Sequence, residues 1–427
     1  MMELLKWINR DIACSCGRTH RCDIGCVDIA SGALARLPDH LKAYNHILLV
    51  ADSNTYPLCG DRVSELLGDA IESACIFETE EILVPDEDAI GMIEQELTAE
   101  TDFILGIGSG VINDLCKYVS FFRKIDSGIV ATAPSMDGFA SSGAAMILRG
   151  MKVTETTHAP ALILGDIDLL RAAPMEMIRA GYADIIGKYS ALCDWKLSAL
   201  VNGEYLCQDV YDLVMRKTDE IRALAPEIAA RGEKAIGTLM ESLVLIGVCL
   251  TLLGTTRPGS GSEHHMSHYF EITGLLSGQH CFLHGIDVGY ATVVTAGLRE
   301  ELCRLNEPHF WHQPQEEREQ CYQRIYGPIW TEVRNLQREA GRYANPKDDF
   351  YLANWQEIRD ILGKCPSATE VQTMLTDVGF DLSQFEKMYG KEKIQTGVWF
   401  AKDLKDRYSV LWLYDDVFFS EKEAASL

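Results

Sequence analysis

Three of the eleven histidines in this chain fall inside five residues, in Ser262-Glu263-His264-His265-Met266-Ser267-His268, and His280 and His284 follow soon after. His264 and His268 are spaced one helical turn apart, as are His280 and His284, so a helix would put each pair on one face. A lone histidine is more often a packing residue. Five within twenty-one residues point instead to a divalent-metal site, because neutral imidazole is a common metal ligand. A carboxylate is needed as well, and Asp184-Ile185-Ile186-Gly187-Lys188 offers one. Asp184 and Lys188 would share a helix face. The flanking Ile185, Ile186 and Gly181-Tyr182-Ala183 make that face a poor one for solvent, which argues against a plain surface ion pair.

A second kind of chemistry is written in Phe103-Ile104-Leu105-Gly106-Ile107-Gly108-Ser109-Gly110, an apolar strand running into a turn without bulky side chains. Such a turn lets backbone N–H groups approach a pyrophosphate, and the helix that follows offers its positive end. The spacing is not G-x-G-x-x-G, and Asp114 and Lys117 in that helix read equally well as surface residues. The next strand ends in Thr132-Ala133-Pro134-Ser135-Met136-Asp137-Gly138, which concentrates hydroxyls and a carboxylate in one turn. Ligands of open α/β sheets bind at the carboxyl ends of strands, so the two turns should lie side by side. His309 and His312 have no carboxylate at an obvious spacing and read as a surface loop.

The elements that must position these groups are of two kinds. Up to about residue 170, apolar runs alternate with helical patterns: strands at His46–Ala51, Ser73–Phe77, Glu81–Pro85, Phe103–Ile107, Gly128–Ala133 and Ala161–Leu164, with helices at Asp86–Leu97 and from about Asn113 to Phe122. That alternation predicts a parallel sheet covered by helices. Pro174 suits the first turn of a helix, and Met175–Val201, Tyr205–Leu224 and Lys234–Leu253 then read as long helices. The expected architecture is α/β: an N-terminal Rossmann-like, dinucleotide-binding domain over residues 1–172 and an all-helical, metal-binding domain over 173–427. The late aromatics Trp355, Trp399, Trp412, Tyr408 and Tyr414 read as packing of the helical part. Residues 300–367, rich in Glu, Gln, Arg and Trp, read as extra helical packing or a subunit surface.

Composition narrows the partners. With 39 basic and 63 acidic residues the net charge is −24, which repels phosphate backbones and makes nucleic acid an unsuitable partner. No uninterrupted apolar run reaches the ~18–20 residues that span a bilayer, and the N-terminal residues lack a signal-peptide core, so a cytoplasmic protein is expected. The fourteen cysteines are scattered, as suits reduced thiols. The one cluster, Cys14, Cys16, Cys22 and Cys26, lacks the spacing of a common zinc ribbon and reads as partly buried thiols.

Taken together, these residues resemble the family that unites iron-containing alcohol dehydrogenases, glycerol dehydrogenase and dehydroquinate synthase. The resemblance is carried by Ala51–Tyr56, Gly108–Asp114, Ala131–Gly138, Ala173–Met177 and Ser260–His264, and it extends from about residue 10 to Ala401–Tyr408. It implies NAD(P)H-dependent, metal-dependent reduction of dihydroxyacetone phosphate to sn-glycerol 1-phosphate, with an unphosphorylated polyol such as glycerol as the alternative substrate. It also implies a ligand set of Asp184, His264 and His284 for one divalent cation, and a cofactor set of Asp52, Gly108, Ser109, Gly110, Asp114, Thr132, Ser135 and Ser141. Asp137, Lys188 and His268 are the implied catalytic residues. Iron-dependent relatives carry a His one turn after the Asp, where this chain has Lys188, so zinc or nickel is expected over iron. Lys188, and less directly Arg257, would meet the substrate phosphate. Asp52 would meet the adenosine ribose and favour NAD, with NADP left open. A homo-oligomer, dimer or larger, is implied. A lyase of the dehydroquinate synthase kind would need further basic residues that are not found, and a non-catalytic scaffold would be expected to have lost a metal ligand.

Overall fold

The computed structural model describes residues 3–79 and 83–418. It divides into two compact units, neither of them continuous in sequence. The first comprises residues 1–185 and 219–256; the second comprises 186–218 and 257–427. The division therefore departs from a single boundary at residue 172. The helix Glu233–Leu253 belongs with the sheet, because its apolar residues extend that unit's core.

The first unit opens with β1 (Ile12–Ala13), β2 (Thr19–His20) and β3 (Cys26–Ala30), followed by β4 (Ile47–Asp52), β5 (Ile71–Phe77), β6 (Phe103–Gly108) and β7 (Asp126–Ala131). A hairpin of β8 (Gly143–Leu148) and β9 (Met151–Thr156) precedes β10 (Leu162–Asp166). Among the described residues, six strands form one parallel sheet in the order β3-β10-β7-β6-β4-β5. The central strands are apolar at nearly every position because helices cover both faces: Ile47–Ala51 and Phe103–Ile107 are wholly buried. Alternate residues Ile47, Leu49 and Ala51 join Leu105, Ile107, Val130 and Leu164 in a core with Leu37, Leu41 and Val63. β3, β8 and β9 were not expected. β3 is a short edge strand whose polar Asp28 breaks the apolar signal, and the hairpin's sequence carries little alternation. In the expected strand Glu81–Pro85, Glu81 and Ile82 lie outside the described residues, while Leu83–Pro85 are irregular.

The second unit is helical. It contains Lys188–Asn202, Ser262–Ser277, His284–Arg304, Gln315–Tyr326, Trp330–Ala340, Asp348–Leu362, Ala368–Asp377, Ser383–Phe400 and Val410–Phe418. The long helix expected over Met175–Val201 is divided at Gly187 into Met175–Ile186 and Lys188–Asn202. Residues 300–367 are mostly regular helix. Aromatic rings lock the unit: Phe270 stacks on Tyr389 at 4.2 Å and Tyr290 on Phe385 at 4.9 Å. Trp355, Trp399, Trp412, Tyr408 and Tyr414 are all buried, as packing residues should be. Among the described residues, one helix, Glu233–Leu253, has the length and apolarity to cross a membrane, which the sequence reading had put out of range. Most of its apolar stretch is buried within the molecule, as in a core helix.

Candidate active site

In the sheet unit the glycine turn is a matter of clearance. A Cβ on Gly106 would lie 2.9 Å from Ile129 Cδ1, and one on Gly108 would lie 2.6 Å from Ile112 Cγ1. Both would jam strand β6 against the helix behind it. That helix begins at Gly110, not near Asn113, and runs to Arg123, with Ser109 as N-cap. Its first N–H groups therefore open directly onto the turn, where a pyrophosphate would benefit from the helix dipole. Ser109 and Ser135 share a short hydroxyl–hydroxyl hydrogen bond, and the Thr132 amide donates to the Gly108 carbonyl at 2.9 Å. The expected pairing of the two turns thus follows from β6 and β7 being neighbours. Asp52 sits at the end of β4 and accepts from the Asn54 and Thr55 amides at 2.8 and 2.7 Å, which shapes the turn there.

Two residues of the expected cofactor set turn out to hold the scaffold. Asp114 pairs with Lys117 at 2.9 Å and accepts from the Ala145 amide at 3.2 Å. The Ser141 hydroxyl donates to the carbonyls of Gly138 and Gly143 at 3.1 and 2.9 Å. Lys117, fully buried, donates to Gly138, Ser141 and Gly143, and so ties the helix to the loop after Asp137. Helix Met175–Ile186 packs backbone to backbone on this loop, since a methyl on Gly181 would collide with the Pro134 carbonyl. That contact places Asp184, itself fully buried, so that its carboxylate accepts from the Asp137 amide at 3.0 Å.

In the helical unit three imidazoles gather. The ring centroids of His264 and His284 are 5.1 Å apart, those of His268 and His284 5.4 Å, and those of His264 and His268 6.1 Å. His264 Nδ1 lies 2.8 Å from Glu263 Oε1, and His284 Nδ1 lies 3.1 Å from Ser267 Oγ. A carboxylate only accepts, so His264 carries its proton on Nδ1 and keeps the Nε2 lone pair as a ligand. Burial pushes the Glu263 carboxyl up, but the bonds from His264 and from the Gly261 amide more than reverse this and hold it below its ordinary range. The residues therefore fit a divalent cation: donors of the right type, close together, with the rings of His264 and His284 held from behind. Glu271 also stands here. One atom each from His268, Glu271 and His284 lies within 4.8 Å of the others.

The frame that holds this cluster was not visible in the sequence. Asp194, fully buried, accepts from the Ser262 amide at 2.6 Å and from the Val410 amide at 2.9 Å, and pairs with Arg299 at 3.1 Å. It thereby fixes the first turn of the helix that carries His264 and His268. Glu263 had a signal, since it adjoins His264 in the Ser-Glu-His triplet; Asp194 and Arg299 had none, being far away in sequence. Lys188 is fully buried and donates to the Gly259 carbonyl at 2.8 Å. Arg257 is buried and bonded within the fold. Its guanidinium grips Glu204 through two bonds of 2.6 Å and reaches the Tyr408 carbonyl at 2.7 Å. His280 is exposed in the segment between the helices Ser262–Ser277 and His284–Arg304, so it does not share a helix face with His284. His312 does have carboxylates, Asp348 at 3.0 Å and Asp416 at 3.5 Å, brought in from distant helices.

Known proteins resemble this chain in sequence and in fold. A family model described as iron-containing alcohol dehydrogenase matches residues 28–174. The solved structure of a halo-thermophilic archaeal alcohol dehydrogenase from a Red Sea brine pool superposes with a TM-score of 0.58 at 13% identity, over 92% of this chain and 98% of that one. The fold is therefore of the iron-containing alcohol dehydrogenase class. The NAD(P)+ glycerol-1-phosphate dehydrogenase of Halalkalibacterium halodurans is 37% identical over 312 residues, 71% of this chain and 78% of its own. The enzyme of the same name from Bacillus licheniformis is 31% identical over 400 residues, 87% of this chain and 100% of its own. The chain belongs to the glycerol-1-phosphate dehydrogenase family.

Proposed function

We propose that this chain is an oxidoreductase that reduces dihydroxyacetone phosphate to sn-glycerol 1-phosphate with NADH or NADPH, reversibly, at a divalent metal centre. The observation that carries the reading is the gathering of His264, His268 and His284 with His264 held in one tautomer by Glu263. The likeness to NAD(P)+ glycerol-1-phosphate dehydrogenases supports glycerol 1-phosphate as the alcohol of this reaction.

Asp184, His264 and His284 are the proposed ligands. When bound, the cation supplies a Lewis acid for the carbonyl oxygen and the dinucleotide supplies the hydride. The chain's own residues do the rest. Gly108 and Gly110 leave the backbone bare for the pyrophosphate, and Ser109, Thr132 and Ser135 border it with hydroxyls and amides. Asp52 receives the ribose hydroxyls, which favours NAD. Asp114 and Ser141 act at one remove, by holding the turn that carries Asp137. Lys188 brings a buried positive charge for the phosphate or the developing oxygen. His268 passes the proton between the alcohol oxygen and solvent. Lys188 stands where iron-dependent relatives have histidine, which favours zinc or nickel and leaves a three-ligand set with open positions.

The test is NAD(P)H oxidation with dihydroxyacetone phosphate and, separately, with dihydroxyacetone, followed by chiral identification of the product. Chelation should abolish turnover and zinc or nickel should restore it; His264→Ala should lose it without recovery. Turnover that survives chelation, or a preference for the unphosphorylated ketone, overturns the proposal.

A further inference from the structure

The N-terminal cysteines are free thiols, Cys22 buried and Cys14, Cys16 and Cys26 partly so, as their spacing suggests. Cys22 is buried apart from the others, and burial pushes its thiol up to about 12, which keeps it protonated and inert. Cys26 lies beside His40, 3.6 Å from its Nδ1. Cys14 and Cys16 are instead joined by a histidine, His20.

These three residues sit on the ribbon of β1 and β2, in which Ile12 pairs with His20 and Ala13 with Thr19. The turn between the strands is closed by two backbone bonds, Cys14 N–H to the Arg18 carbonyl at 3.1 Å and Gly17 N–H to the Cys14 carbonyl at 3.0 Å. Gly17 has φ +82°, a left-handed conformation that suits glycine and lets the chain reverse straight after Cys16. Both cysteines are thereby turned back toward the second strand. His20 is 3% exposed, and its Nδ1 lies 2.9 Å from the Leu252 carbonyl oxygen. A carbonyl can only accept, so Nδ1 carries the hydrogen and Nε2 presents a lone pair. That Nε2 lies 3.3 Å from Cys16 Sγ. One donor atom from each of Cys14, Cys16 and His20 lies within 4.8 Å of the other two. Ligands about 2.1–2.3 Å from a tetrahedral ion are separated by roughly 3.5 Å, so a small inward movement brings these three donors into place around one ion.

We propose that Cys14, Cys16 and His20 hold a zinc ion in a structural site distinct from the histidine cluster of the helical unit. Three features support it. Two thiols and one imidazole are the donor types that structural zinc takes. The imidazole is oriented from behind by a backbone carbonyl, the arrangement typical of metal-ligating histidine. The ribbon needs a staple, because strands of two residues each cannot hold a hairpin by their own hydrogen bonds. The site carries no reaction. Binding displaces the two thiol protons to solvent, and the ion ties the ribbon to itself and, through His20, to the end of helix Glu233–Leu253.

The experiment uses the full-length protein purified under reducing conditions. Metal content is measured for the wild type, for the double variant Cys14→Ser, Cys16→Ser, and for His264→Ala. The double variant should lose about one zinc equivalent per chain and keep NAD(P)H-dependent turnover at moderate temperature; His264→Ala should keep that zinc. Cobalt-exchanged wild type and His264→Ala should both show a thiolate-to-cobalt charge-transfer band, which the double variant lacks. The histidine cluster contributes no thiolate, so this band reports the ribbon alone, whatever becomes of the dehydrogenase proposal. Should the double variant fail to fold, the wild type serves by itself: alkylation of Cys14 and Cys16, followed by peptide mass spectrometry, should be slow in the zinc-loaded protein and fast after chelation. Equal metal content in wild type and double variant, no thiolate band, alkylation indifferent to chelation, or a disulfide between Cys14 and Cys16 in the purified protein would each overturn the proposal.

Discussion

In the sheet unit, Gly106, Gly108 and Gly110 make room by lacking side chains, whereas in the helical unit His264 and His284 are aimed by side chains that hold them. The first region is defined by what a Cβ would strike: Ile129, Ile112 and Met136. The second is defined by hydrogen bonds made with Ser267 and accepted by Glu263 and, further back, by Asp194. Clearance tolerates small errors by shifting neighbours. A buried polar network does not, because each broken bond leaves a desolvated partner behind. The helical region should therefore be the more brittle of the two.

The sharpest way to break that comparison is Asp194→Ala. It strips the acceptor from the Ser262 and Val410 amides and leaves the buried Arg299 cation uncompensated. Removing one partner of such a pair costs about 3–5 kcal/mol, and urea denaturation should show a loss of that size. A loss no larger than a surface pair's, about 0–1 kcal/mol, would mean that the network is not what holds the helix start. Gly108→Ala is the counterpart in the sheet unit. Its new methyl presses on Ile112, and overpacking of this kind costs about 1–3 kcal/mol. Dinucleotide affinity should fall with it, measured by fluorescence titration. A Gly108→Ala protein that binds the dinucleotide normally would remove the clearance argument.

The same contrast explains how far each region was legible. Glycines and apolar strands announce themselves locally, so β4, β6 and β7 and the two turns after β6 and β7 were found within a few residues of their true ends. The histidines announced themselves by clustering. Their supports did not, since Asp194 and Arg299 lie 68 and 37 residues from the Ser262 they serve. Asp114 and Ser141 were assigned to the cofactor because they adjoin the right motifs, and sequence adjacency could not show that their polar atoms already bond to Lys117, Ala145 and Gly143. The partner of Arg257 was hidden for the same reason, Glu204 being 53 residues away. The domain boundary was drawn where strands stop, but the chain returns to the sheet unit with Glu233–Leu253, and periodicity cannot say which core a buried helix joins.

A smaller change probes the aiming of a single ring. Glu263→Gln keeps the shape beside His264 but replaces a charge-assisted bond with a neutral one. Loss of a supporting partner of this kind typically costs about 10–100-fold in metal affinity, to be read by competitive titration with a chromogenic chelator. Unaltered affinity would show that ring orientation comes from packing alone.

The smallest effect is expected where an imidazole–carboxylate pair stands near solvent. His312 bonds Asp416 and Asp348, and chiefly through the Asp416 bond its pKa is raised to about 9. The folded state therefore holds the proton more tightly than the unfolded chain, whose histidine titrates near 6.5. The resulting stability is fully present below that pH and is lost as pH rises through about 9. His312 is 40% exposed, so solvent screening should keep the contribution below about 1 kcal/mol. Denaturation midpoints measured from pH 6 to pH 10 should fall slightly more steeply in the wild type than in His312→Gln, and added salt should shrink the difference. A difference that grows with salt, or that approaches the Asp194→Ala loss, would erase the distinction between pairs that are buried and pairs that are merely close.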